Sequence, residues 1–260
     1  MRIQLRALGM TMFALSLAGL AFSQTGSSQK VRKLLVKPGF GFDYFSRTIN
    51  WDEKKYTSKI KSYFITAGVE YAPIEKLSLT ALAGYGSTNP NGMVFRHLPF
   101  SVDYEAGGIS GFVLGAEAAT KSLFPVGNFE IDIQARFVVY LGRTKTMDVT
   151  DLAVKGQLQG KATWSQFTVG PVVTYKGFNY FSPYAALGIN KFWGSFKMDQ
   201  TIQDLTGNEQ KDFKGDGLFQ LAVGAAYEFT DTISLKGEAR LLPHKNGVDF
   251  GATATLTLTF

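Results

Sequence analysis

The charged residues able to do chemistry in this chain fall at alternating positions. Lys37, Asp43 and Arg47 share one parity, as do Glu130, Asp132 and Arg136. Glu228, Lys236, Glu238 and Arg240 repeat the pattern, and Glu70, Glu117 and Asp249 sit on the polar side of their own segments. Both signs occur on neighbouring stretches: Glu117 beside Glu130 and Arg136, Glu238 and Arg240 beside Asp249. If the set converges, it supports either ion pairing that fills a polar interior or a wet passage whose charges select solutes. A charge withdrawn from water is costly unless it is paired.

Hydrolytic and metal chemistry have fewer carriers. The two histidines are His97 and His244. His97 with Ser101 and Asp103 supplies the residue types of a nucleophile–base–acid set, but nothing in the sequence positions them together. Asp199, Asp204, Glu209, Asp212 and Asp216 offer oxygen ligands for a hard cation such as Ca²⁺. They are mixed with Lys197, Lys211 and Lys214 and follow no ligand-loop spacing. Gly84-Tyr85-Gly86 and Phe40-Gly41-Phe42 precede no helix that would complete an anion site. The expectation is no catalytic residue, no metal and no cofactor.

Strands must position these charges. Residues 248–260 alternate almost without error: Val248, Phe250, Ala252, Ala254, Leu256, Leu258 and Phe260 against Asp249, Gly251 and a row of threonines. Successive side chains of an extended chain point to opposite faces, so this is a strand with one apolar and one polar face. The same period recurs over residues 36–45, 62–71, 77–85, 112–118, 129–141, 167–175, 181–189, 219–229 and 233–241. That makes about ten strands, within a range of eight to twelve. No window sustains a 3.6-residue period.

The connections come in two kinds. Residues 72–76, 121–127, 176–180 and 230–232 are short turns. Residues 50–58, 87–107, 143–161 and 197–216 are longer and polar, and 242–247 is a short exception. Short and long alternate because successive connections lie at opposite ends of an up-and-down meander. Aromatics mark both strand ends: Tyr71, Phe129, Tyr175 and Tyr227 toward the short turns, Tyr44, Tyr63, Tyr85, Trp164 and Trp193 toward the loops. Two aromatic levels separated by aliphatic residues are the pattern of strands that cross a bilayer. A secreted soluble barrel would bury the same apolar parity inside. The loop-length alternation, the two belts and the aromatic terminal strand favour the membrane.

The N-terminus carries a separate message. Arg2 and Arg6 precede an apolar run to Ala21, and Ala21-Phe22-Ser23 supplies small residues for cleavage, so residues 1–23 read as a secretory signal peptide. Residues 24–260 then form one barrel domain. The absence of cysteine rules out disulfides and a Cys-linked lipid anchor. The net charge of +6, reduced by two on loss of Arg2 and Arg6, is mild for this length and argues against nucleic acid.

Together these features resemble the small outer-membrane β-barrel proteins of bacteria, over essentially all of residues 24–260. The resemblance implies an all-β fold: a single closed antiparallel up-and-down transmembrane barrel in the outer membrane, turns toward the periplasm and loops outside. It also implies that Phe250, Leu256, Leu258 and Phe260 form the C-terminal signal read by the barrel-assembly machinery. The lipid bilayer is the expected partner; an extracellular partner is not indicated. Barrel proteases place an Asp two residues before a His, and here those positions hold Phe95 and Leu242. Barrel lipid hydrolases place a Ser two residues after a His, and here those positions hold Pro99 and Asn246. The expected role is therefore structural or surface interaction through the loops, without enzyme activity. Alternatives are a narrow channel through the charged lumen and a hydrolase around His97. Ten strands lie near the size that side chains fill, which favours a salt-bridged plug over a passage.

Overall fold

The computed structural model describes residues 36–53, 55–149 and 156–259. The signal segment 1–23 and Phe260 lie outside the described residues.

Fifteen strands follow in chain order: β1 Val36–Trp51, β2 Tyr56–Ile74, β3 Leu77–Asn89, β4 Met93–Phe95, β5 Val102–Tyr104, β6 Ile109–Thr120, β7 Phe124–Val126, β8 Phe129–Gly142, β9 Lys145–Val149, β10 Gly156–Tyr175, β11 Phe181–Ile202, β12 Leu205–Gly215, β13 Phe219–Thr230, β14 Ile233–His244 and β15 Gly247–Leu258. Ten of them, β1, β2, β3, β6, β8, β10, β11, β13, β14 and β15, form a hydrogen-bonded antiparallel meander. Pairing of β1 with β15, from Gly39 opposite Thr257 to Phe45 opposite Gly251, closes the ring. Closure gives each of these ten strands a partner on both sides, as a hydrocarbon environment demands.

The faces decide which medium surrounds the ring. Every one of the ten strands exposes large apolar side chains outward, among them Ile65 (66%), Phe219 (63%) and Val223 (61%). Rings cluster at the turn end, with Phe129 5.1 Å from Tyr175 and Tyr227 4.9 Å from Phe229, and Tyr85 stands 5.5 Å from Phe112 nearer the loops. A soluble domain does not expose a continuous apolar belt of this kind. The apolar parity faces lipid.

Above the belt the long connections are themselves β-structure. Residues 197–216 complete β11 and form β12; 143–161 contain β9 and the start of β10; 87–107 hold the β4–β5 hairpin. β14 and β15 run to a turn at Lys245-Asn246, so four of residues 242–247 are strand. Their outward positions are mostly polar, which made them look like loops; inward lie Phe196, Met198 and Phe213 together with the buried Glu209 and Lys211. The upper half of β11 pairs with β12 (Trp193 opposite Lys214 to Ile202 opposite Leu205), and β12 meets β1 from Ile49 opposite Gly215 to Trp51 opposite Phe213.

Candidate functional site

The lumen is layered, and each layer follows from which residues the strands turn inward. At the turn end Glu70 Oε1 lies 2.6 Å from Lys121 Nζ. Glu130 accepts from the Ser122 hydroxyl, and Asp132 from the Thr120 hydroxyl and the Leu123 N–H, so both carboxylates tie down the β6–β8 turn. Glu228 is exposed near the end of β13.

The central layer gathers most of the others. Asp43, 4% exposed, is bracketed by Arg240 at 2.5 Å and Arg136 at 3.1 Å, and accepts from the Thr253 hydroxyl. Glu238 lies 3.6 Å from Arg240 Nε and accepts from the Tyr184 hydroxyl at 2.9 Å. Lys236 Nζ sits 4.7 Å over the Tyr184 ring, and Glu117 faces Arg136 across the β6–β8 register. A cavity of about 240 Å³ opens below, lined by Lys37, Glu70, Glu117, Arg136, Lys236, Glu238 and a row of threonines. At roughly 30 Å³ per water, it has room for a handful of waters.

Higher up, Asp249 is fully buried and accepts from the N–H and hydroxyl of Thr48, with Lys59 Nζ at 3.3 Å. Arg47 donates to the Gly217 carbonyl. His244, expected in an external connection, is instead the last residue of β14, with its ring 3.6 Å from Asp216 and 3.9 Å from Asp249.

The loop end is closed by an aromatic layer that sequence reasoning missed. Trp164, expected in the outer belt, lies inward and buried because it shares the parity of Ala162 and Gln166. It stacks on Tyr140 at 5.4 Å, meets Phe45 edge-on at 5.2 Å, and donates through Nε1 to the Thr88 hydroxyl. Phe64 and Phe192 complete the layer at 6.2 and 5.4 Å. Above it Ile49, Ile60, Phe196 and Met198 pack with Met93, Phe95 and Tyr104 of the β4–β5 hairpin, which folds inward over the mouth. The signal was present in the sequence. On β1, β2, β10 and β11 the apolar residues change parity at the top of the belt, as in β11 from Leu187 and Ile189 to Phe192, Phe196 and Met198.

A polar strap holds this cap. Glu209 of β12 accepts from the His97 N–H at 2.8 Å, contacts His97 Nδ1 at 3.0 Å and Lys211 Nζ at 2.8 Å; Lys211 also reaches Asp52 at 2.9 Å. Gln200 accepts from the Phe100 N–H. Burial alone would raise the Glu209 carboxyl, but the bonds from Lys211 and His97 outweigh it and hold its pKa below the ordinary value. Burial likewise opposes the Lys211 charge, yet Glu209 and Asp52 raise its pKa. His97 thus pairs with Glu209, which gives it a structural role. The acidic residues of 199–216 divide: Asp199 pairs with Lys197, Asp212 accepts from Gln210, and Glu209 points inward. Among the described residues no group of three His, Asp or Glu converges on a metal-sized site.

A closed ring with an apolar outside and a polar, filled inside is a transmembrane β-barrel of the outer-membrane type. No family model and no curated protein matches the sequence. Among solved structures the chain is similar to the outer membrane protease OmpT from Escherichia coli, with 13% identity, a TM-score of 0.47, and 92% of this chain and 100% of that one covered. It is also similar to the translocator domain of the autotransporter NalP from Neisseria meningitidis, with 10% identity, a TM-score of 0.43, and 98% and 96% covered. A third is Ail, the attachment invasion locus protein of Yersinia pestis, with 11% identity, a TM-score of 0.34, and 87% and 97% covered.

Proposed function

We propose that this chain is a closed outer-membrane barrel that displays a rigid β-structured head at the cell surface and acts by surface interaction. It conducts no solute and performs no hydrolysis. The observation that carries this reading is the aromatic layer around Trp164, with the β4–β5 hairpin packed above it. A charged lumen beneath an apolar seal is a dead-end vestibule. The assignment of the head to the outside follows the rule that bacterial barrels keep their short turns in the periplasm.

Planar-bilayer recordings on the purified barrel test it. The expected result is a bilayer as silent as one without protein; reproducible single-channel steps would overturn the reading in favour of the channel.

Insertion through the barrel-assembly machinery belongs to the same proposal. Phe250 and Leu256 of β15 face outward, where an assembly factor reaches them; Leu258 shares their parity and closes the strand at the turn end. Phe260 would complete the signal.

A further inference from the structure

Toward the loop end, the first outward residue beyond the apolar belt on β2, β3, β6, β10 and β11, and just past the end of β8, is a serine, a lysine or an arginine, and never a carboxylate. Lys61, Arg143 and Lys191 are the charged members. The turn end has no such bias: Glu75, Lys76, Lys176 and Asp231 mix both signs.

The bias concentrates over β10, β11 and β12. Trp193 faces outward there, opposite Lys214, with Lys191 Nζ 5.7 Å from its ring and Phe137 6.2 Å away on the lipid side. Phe167 and Ile189 lie directly below. Further up, Lys161 stands directly opposite Lys197. All four lysines are exposed; Lys197 has Asp199 at 2.9 Å, and Asp212 is beside Lys214 along β12. Like charges directly opposite each other on a sheet are destabilising; Asp199 offsets part of this at Lys197, and an anion bound beside Lys161 offsets more. Along β11 the Lys161–Lys197 pair stands four residues above the Trp193–Lys214 pair and six above Lys191, roughly 14 and 20 Å at the rise of a strand.

We propose that this face binds a phosphate-bearing lipid of the leaflet on the loop side. Lys191 and Lys214 grip the phosphate beside Trp193, the acyl chains lie along Phe167 and Ile189, and Lys161 and Lys197 meet a second anionic group farther out on the headgroup. Lysine stems can lie on the apolar belt while their ammonium groups reach the headgroup level. The inference rests on the membrane-spanning reading above.

Trp193 is a built-in reporter, since Trp51 and Trp164 are 3% and 1% exposed. The full barrel is reconstituted in phosphatidylcholine vesicles containing a small fraction of lipid with brominated chains, and Trp193→Phe supplies the background. Brominated phosphatidic acid should quench Trp193 well beyond brominated phosphatidylcholine at the same mole fraction. Lys191→Gln and Lys214→Gln should each lower that enrichment about fivefold. Unlabelled lipopolysaccharide should displace the brominated phosphatidic acid, less effectively in Lys161→Gln/Lys197→Gln, whose phosphatidic acid preference stays intact. Equal quenching by both lipids, or displacement by inorganic phosphate alone, overturns the proposal. Absence of quenching by either lipid means that the barrel is not in the bilayer, and the functional reading itself falls.

Discussion

Replacing Trp164 by alanine tests the aromatic layer most directly. The indole is buried, stacks on Tyr140 and meets Phe45 and Phe192. Removing a buried tryptophan costs about 3–5 kcal/mol in lost transfer energy and residual cavity. No polar group is orphaned, because the Thr88 hydroxyl keeps its 2.9 Å bond to Ser62. The expected loss is therefore about 4 kcal/mol. Trp164→Phe keeps most of the ring area and forfeits the Nε1 bond, so its loss is about 1–2 kcal/mol. Urea unfolding in detergent, followed by circular dichroism and by gel mobility, measures both. The vacated space is lined by Phe45, Phe64 and Phe192, and an apolar cavity stays dry; Trp164→Ala should remain silent in a bilayer even though it is weakened. If Trp164→Ala unfolds within about 1 kcal/mol of the parent chain, the layer is not holding the barrel mouth and the reasoning fails.

Two further outcomes follow from the ion pairs. Asp43→Ala leaves the buried Arg240 and the half-buried Arg136 without their shared carboxylate and should cost about 3–5 kcal/mol in the same unfolding assay, while adding Arg240→Met to it should recover part of the loss. The strap on the cap is pH-dependent at both ends. Because the folded Glu209 pKa is lowered, its contribution is complete above its ordinary value of 4.5 and fades as acid brings the pH through the folded value; because that of Lys211 is raised, its contribution is complete below 10.5 and fades as the pH rises beyond it. Hydrogen-exchange protection of the His97 amide should therefore drop in acid below 4.5, while that of the Phe100 amide, bonded to neutral Gln200, should not; parallel loss at both amides would refute the assignment.

The ring of ten strands was legible because its apolar residues keep one parity across the bilayer, as Phe40, Phe42 and Tyr44 do. The direction of that parity was not, since alternation is identical for a soluble and a membrane barrel; exposure of Ile65 and Phe219 decides it. The head was illegible for a physical reason. Where the wall rises out of lipid, water replaces hydrocarbon outside and apolar side chains such as Phe196, Met198 and Phe213 move inside; β12 also turns the paired Glu209 and Lys211 inward, so its sequence looked like a polar loop. The central charges converge around Asp43 because β1, β8 and β14 all turn the polar parity inward. Glu130 and Asp132 share that parity but sit too near the turn to reach it.

β1 is joined along one edge twice, to β15 within the belt and to β12 above it. In a barrel the seam between first and last strands joins the residues most distant in sequence, so it forms only when the whole wall is in place. Here the upper end of that seam is clasped by a different hairpin, and Asp249 ties the neighbouring backbone of Thr48 to β15. The seam between the first and last strands is therefore held by three elements at once, β15, β12 and the Asp249 side chain, and parting β1 from β15 would also require β12 to let go.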